Sequence, residues 1–425
     1  MKLKSIFILT ILTSIFIACS DDDNEGPTIP PMEEGDNIVD LAVATADLSN
    51  LVAALQEANL VNTLEGDGPF TVFAPTNAAF EAFLTAGGFA SVADVPDEVL
   101  SAVLLNHVVS GTNLSTDLST GYVSSLSTAG VDGQALSLYI NTDGGVKINN
   151  ATVATADVEG TNGVVHIVDQ VIGLPNIVNH ATFNDGLTEL VGALTADGNT
   201  TFTDLLSDAE GVFTVFAPVN SAFAAFENPA DNDINNVLSN HVISGAAAFS
   251  TGLANGYQTT LATNGDGDAL SLYVNTDDGV TFNGISDAVE NNIDIVATNG
   301  VIHAVNAVID IPTVVTFAVA DPNFSTLETA LTDLTPETDF VAVLSTPEGT
   351  VPAPLTVFAP TNAAFDALAA IPEEGPLTSI LTHHVITGSN VRAEDIGDGD
   401  ISSATLEGDN LTFTVFGNDS ISITD

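Results

Sequence analysis

Residues 71 to 80 read TVFAPTNAAF, the same ten letters return at 356 to 365, and TVFAPVNSAF stands between them at 214 to 223. Each copy parses into a strand, a stop and a helix start. The β-rich run FTVFAP halts at Pro75, Pro218 or Pro360, where proline removes the ladder donor. The letters that follow begin a helix, whose first N–H groups need acceptors. Thr76 and Asn77 both offer a side-chain oxygen, but the middle copy has Val219 in place of the threonine and keeps Asn220. Asparagine, recurring as Asn362, is therefore the expected cap in all three copies. Val72 and Phe73, with Phe80 and Phe83 along the helix, are expected in the core. None of this requires chemistry, so the decapeptide reads as scaffold.

Other stretches echo in the same order. LLNHVVSG at 104 to 111 returns as LSNHVISG at 238 to 245 and LTHHVITG at 381 to 388. ALSLYINTDGGV at 135 to 146 returns as ALSLYVNTDDGV at 269 to 280, and NGVVHIVDQVI at 162 to 172 as NGVIHAVNAVI at 299 to 309. The repeat spacing of about 140 residues is far above the roughly 20 to 50 of solenoid repeats, so each unit is a whole globular domain. The expected domains are 37–174, 175–311 and 312–425. Within a unit, helical apolar spacing in NIVDLAVATADLSNLVAALQEANLVNTL alternates with short β-rich runs separated by Asn, Asp and Gly turns. Without a strict βαβ rhythm, the fold class is α+β with a largely antiparallel sheet.

TVFAPTNAAF, LLNHVVSG and NGVVHIVDQVI resemble, in order and spacing, the first box, the central Tyr-His region and the second box of fasciclin-like (FAS1) domains. The resemblance runs from about residue 37 to the end, across three tandem copies. It implies a compact β-wedge flanked by helices, and a role in cell adhesion or matrix contact without catalysis. In animal members an Asp-Ile pair shortly before the second box contributes to integrin binding. Here Asp157 with Val158, and Asp294 with Ile295, fall at that place, either as partner contacts or as turn residues. His107, His241 and His384 match the family histidine, but Asn106, Asn240 and His383 stand where the family has tyrosine.

Composition restricts partners. Of 425 residues, 56 are Asp or Glu and 4 are Lys or Arg, giving a formal net charge of −52. Such a surface repels phosphate backbones, which excludes nucleic acid as a partner. The start, MKLKSIFILTILTSIFIACSDDDN, has a basic flank and an apolar run too short to span a bilayer, the pattern of a secretory signal. It ends at Cys19, the only cysteine. That arrangement resembles the lipobox of bacterial lipoproteins, with residues 1–18 as signal, Cys19 as the lipidated residue, and 19–36 as an acidic tether. The resemblance implies an exported lipoprotein of the outer membrane, at the cell surface of a Gram-negative bacterium, joined to the membrane through its lipid.

Catalytic patterns are weak. The recurring histidines, His107, His241 and His384 in one set and His166 and His303 in the other, sit inside apolar runs, where a buried imidazole bonded to backbone is the ordinary finding. No GxSxG, P-loop or GxGxxG occurs. No cofactor is expected beyond weak surface calcium at NGDGD, 264 to 268, or GDGD, 397 to 400. The third unit lacks a counterpart of NGVIHAVNAVI before residue 425, so it is expected to be C-terminally incomplete, with an unpaired strand edge, in a truncated chain. The expected function is non-enzymatic, multivalent binding to extracellular matrix, glycan or a cell-surface protein. The alternatives are an accessory factor or enzyme acting on extracellular polysaccharide, or a structural spacer.

Overall fold

The computed structural model describes residues 35–347, 349–417 and 420–424. The expected signal, Cys19 and nearly all of the tether lie outside the described residues. The rest folds as α+β, three times in series.

In the first unit seven strands form one sheet, in the order Val108–Ser110, Phe70–Pro75, Gly163–Val168, Ala151–Gly160, Lys147–Ile148, Ser137–Asn141, Gly121–Ser124. Phe70–Pro75, the leading strand, carries the first half of the decapeptide. It pairs in parallel with Gly163–Val168, the closing strand, in register from Phe70 opposite Gly163 to Pro75 opposite Val168. The other pairs are antiparallel. Successive side chains of the leading strand point to opposite faces. Val72 and Ala74 join the helices on one side, and Phe73 joins Leu138, Ile140 and Ile148 on the other. Phe80 is buried with the helical layer, and Phe83 packs half-buried against it.

The second unit repeats the plan as two sheets. Phe213–Pro218 leads, Gly300–Val305 closes in parallel beside it, and Val242–Ser244 and Ile295–Ala297 flank them. The hairpin strands Gly256–Thr263 and Ala269–Asn275 continue into two short strands in the other sheet. In the third unit the leading strand is Leu355–Val357, paired with Val385–Thr387, and Ile401–Ala404, Asn410–Val415 and Ile421–Thr424 form a separate sheet. Among the described residues, nothing pairs with the other edge of Leu355–Val357.

The decapeptide asparagines correct the capping expectation. Asn77, Asn220 and Asn362 are the first residues of their own helices, after Thr76, Val219 and Thr361. Only Thr76 caps through its side chain, accepting from Ala79 N–H at 3.2 Å. The asparagines reach back to a different helix. Asn77 Oδ1 accepts from Asn50 N–H at 2.8 Å, Asn220 Oδ1 from Glu189 N–H at 3.0 Å, and Asn362 Oδ1 from Thr326 N–H at 2.9 Å. Each donor is the second residue of the helix Ser49–Glu57, Thr188–Leu194 or Ser325–Thr332. The cap positions of those helices hold Leu48, Leu187 and Phe324, which carry no acceptor. Each amide Nδ2 meanwhile donates to the carbonyl of Ala46, Asp185 or Pro322. The apolar residue at the cap is buried or half-buried, and a side chain from elsewhere in sequence supplies the missing acceptor.

The units meet through a repeated tyrosine joint. Tyr122 packs on Tyr139 with centroids 5.0 Å apart and edge-on to His180 of the second unit at 5.7 Å, and its hydroxyl accepts from Asn184 Nδ2 at 3.3 Å. Tyr257 packs on Tyr273 at 4.9 Å and edge-on to Phe317 of the third unit at 5.4 Å, and its hydroxyl donates to Asp321 at 3.0 Å. Asn141 Nδ2 to Asp185 at 2.8 Å and Val296 N–H to Ser137 Oγ at 2.9 Å add polar contacts to the first joint. At the second, Arg392 reaches Asp268 at 2.5 Å.

Candidate functional site

The best-formed polar constellation occurs twice, beside the antiparallel neighbour of the closing strand. Asp157 lies in Ala151–Gly160, whose register slips between Thr155 and Val158, and it adopts φ 61°. Asp294 has φ 55° at the matching place, just before Ile295–Ala297. Aspartate tolerates this left-handed conformation better than most residues. The twist turns each carboxylate toward the loop that follows the central histidine.

There both carboxylate oxygens are engaged. Asp157 accepts from Ser115 N–H at 2.7 Å and Ser115 Oγ–H at 2.5 Å, and Asp294 accepts from Ser250 N–H at 2.7 Å and from Ser250 Oγ–H. The Ser115 hydroxyl and then its N–H hold the Asp157 carboxyl below the usual carboxylate range. Each carboxylate stays about a third exposed, at 36% for Asp157 and 30% for Asp294.

His166 and His303 stand behind the aspartates. Asp157 N–H donates to His166 Nδ1 and Asp294 N–H to His303 Nδ1, each at 3.3 Å. A ring nitrogen that accepts is bare, so the proton sits on Nε2, which donates to the Asn113 carbonyl at 2.9 Å or the Ala248 carbonyl at 2.8 Å. Nδ1 also lies 3.9 Å from the Asp157 carboxylate and 3.8 Å from that of Asp294. Burial lowers the pKa of His303, against the pull of the Ala248 carbonyl and Asp294.

The apolar members of the two pairs face inward. Val158 is half-buried against the first core, and Ile295 is 1% exposed within the second. Of the four residues expected as partner contacts, the structure leaves the two aspartates reachable.

The second histidine set uses the opposite tautomer. His107 Nδ1 donates to the Val103 carbonyl at 2.7 Å while Nε2 accepts from Ile172 N–H at 2.8 Å. His241 does the same with Val237 at 2.8 Å and Ile309 N–H at 2.9 Å. Burial lowers both pKa values to about 4. These histidines are staples that fasten the segment after the closing strand. Asn106 and Asn240 add to the fastening through the carbonyls of Gly173 and Asp310. His384 keeps the first bond, to the Ile380 carbonyl at 2.8 Å.

The acidic turns are tied within the protein. Asn264 Oδ1 accepts from the N–H groups of Asp266 and Asp268, and Asp400 accepts from Gly397 N–H at 2.6 Å. Among the described residues no three His, Cys, Asp or Glu side chains gather as a metal site.

Sequence reasoning placed the aspartates and histidines in separate categories, and missed that Ser115 and Ser250 complete each corner. The echo LSTDL at 114 to 118 and FSTGL at 249 to 253 was the available signal. Tyr122 and Tyr257, in the repeated Gly-Tyr at 121 and 256, were likewise visible but unread.

Comparison with known proteins gives a consistent answer. The fasciclin domain family model matches residues 46–175, 185–312 and 322–425. Over 137 residues the chain is 45% identical to protein sll1483 of Synechocystis sp., covering 32% of this chain and 72% of that protein. It is 30% identical over 333 residues to transforming growth factor-beta-induced protein ig-h3 of Oryctolagus cuniculus, covering 76% of this chain and 45% of that one. With human periostin the identity is 29% over 341 residues, covering 77% and 38%. The chain thus spans less than half the length of these two animal relatives.

Proposed function

The chain belongs to the fasciclin-domain family, whose members are adhesion-type and extracellular, and from that premise we propose a non-enzymatic adhesion protein that displays its domains in series to a repetitive extracellular partner. The observation that carries this reading is the repetition itself. One domain recurs three times, and both junctions are built from a tyrosine pair against the first helix of the next domain. Series display raises avidity only if the geometry permits simultaneous engagement, and a packed joint fixes that geometry better than a free linker. The acidic surface suits a partner that is neutral, basic or bridged by cations, such as matrix protein or glycan.

On this reading Cys19 carries the lipid anchor, residues 20–36 hold the domains off an outer membrane, and the exposed parts of Asp157 and Asp294 contribute partner contacts. Two acyl signals or more are needed for stable attachment, because a single chain binds only marginally. The test is binding of the full chain to arrays of matrix proteins and glycans, with and without calcium, alongside Cys19→Ala. Saturable binding, with release of the Cys19→Ala protein from the membrane fraction, supports the reading. Turnover of a polysaccharide abolished by a single Asp or Glu change would replace it with the enzymatic one.

A further inference from the structure

The sheet of the first domain curls until its two edge strands meet. Contact is made at a single bridge, between Val109 of Val108–Ser110 and Ser125, the residue after Gly121–Ser124. Among the described residues the two strands pair no further. A cleft of about 410 Å³ opens at that seam, bounded by the loop of residues 113–119. Its size falls within the roughly 300–1,000 Å³ of small-ligand clefts. Val109, Leu118, Val123 and Ile140 form its apolar wall, continuous with the core around Phe73. Ser110, Asn113, Asp117, Ser119 and Ser124 form the polar one. Among the described residues, the three serine hydroxyls and the Asp117 carboxylate make no hydrogen bond or ion pair with the protein.

The loop itself is tied down. Asn113 N–H donates to Thr71 Oγ1 at 2.9 Å, and the Asn113 carbonyl accepts from His166 Nε2 at 2.9 Å. Ser115 is held by Asp157, and Asp117 N–H donates to the Leu114 carbonyl at 2.8 Å. A wall fixed in advance leaves little to order when a ligand arrives. The other domains keep this scaffold without its polar groups. Counted from Ser115 and Ser250, which hold the same place, the second domain has Ala248, Gly252 and Ala254 where the first has Asn113, Asp117 and Ser119. In the third, Val391 makes the bond to Thr356 that Asn113 makes to Thr71, and Gly397 stands in the place of Ser119. The polar set is therefore not needed to fold the loop.

We propose that this cleft is a binding site for a neutral sugar residue. Sugar hydroxyls can donate to the Asp117 carboxylate and both give and take bonds with the serines, while the C–H face of the ring packs on the apolar wall. No Lys or Arg lines the cleft and the chain has a formal net charge of −52, so phosphate, sulfated sugars and uronic acids are repelled. The inference rests on the extracellular-binding reading above. It adds a saccharide contact of the first domain to whatever contacts the three domains share.

Calorimetric and NMR titration of the full chain with glucose, galactose and mannose tests this, with glucuronic acid and butylamine as anionic and cationic probes. One variant combines Asn113→Ala, Asp117→Gly and Ser119→Ala, the residues with which the second domain builds the same loop. A second, Asp117→Asn, changes the carboxylate alone. The cleft predicts saturable one-site binding of at least one hexose, with amide shifts at residues 109–124. Binding should be at least about tenfold weaker for glucuronic acid and for the triple variant, and several-fold weaker for Asp117→Asn, with urea midpoints unchanged. No binding of any hexose, equal binding by the triple variant, or butylamine bound more tightly than every hexose would each overturn it. Hexose binding without binding to the arrays would keep the cleft and remove the adhesive reading. Binding to matrix protein on the arrays with no hexose bound would do the reverse.

Discussion

Asn77, Asn220 and Asn362 each serve a helix other than their own. The acceptor satisfies a first-turn N–H of the earlier helix, and the amide donates to a carbonyl just before it. Replacing a capping acceptor with alanine costs about 1 kcal/mol, and here the carbonyl partner is lost too. Asn220→Ala is therefore expected to lower stability by about 1–2 kcal/mol in urea unfolding. Asn220→Asp keeps the acceptor and should recover roughly half. Gly300→Ala should cost more, about 2 kcal/mol or above, because the added Cβ meets backbone that cannot swing aside. The asparagine was visible in the sequence as the polar letter kept after the proline in all three copies, and its partner was not. Local pattern identifies a residue that must bond, whereas the bond itself crosses 27 to 36 residues and depends on packing.

At the scale of elements, the histidine staples and the joint histidine shape the acid response. His107, His180 and His241 are buried with pKa values lowered to about 4, against an ordinary value near 6.5. The unfolded chain takes up protons below pH 6.5 and the native one does not until about pH 4, so stability is full above 6.5 and falls across that window as pH drops. Each histidine contributes a loss of up to about 3 kcal/mol at the acid end. Urea midpoints measured at pH 7 and pH 5 should differ accordingly. His180 offers an internal control. It sits in the first joint with Nδ1 lacking a partner and Nε2 on the Val296 carbonyl, whereas the second joint has Phe317 at the matching place. His180→Phe should leave the pH 7 fold intact and remove this share of the acid loss. Unchanged pH dependence would show that the joint histidine titrates as it does in the unfolded chain. The elements themselves were legible, since β-rich runs and proline stops marked strands, and Asn, Asp and Gly marked the turns between them. The parallel pairing of leading and closing strands was not, because nothing local distinguishes a parallel from an antiparallel edge.

For the whole molecule, two stretches recurring three times and two more recurring twice, in constant order, were enough to predict three copies of one α+β domain, and the family match agrees. The corners around Asp157 and Asp294 were legible only in part. Their aspartates and histidines were found by position, but the serines that hold them come from loops 42 and 44 residues away. The joints also escaped, because a domain-level reading treats each repeat as closed, whereas Tyr122 belongs to the core of the next domain. With joints packed in this way the three domains should move as one body, which is the geometry the proposed multivalent binding requires. Surface plasmon resonance of the full chain over matrix proteins and glycans, at graded ligand densities, tests the proposed reading directly. The account predicts that apparent affinity strengthens with density by about a hundredfold or more, as a second and third domain engage. An affinity independent of density would contradict it.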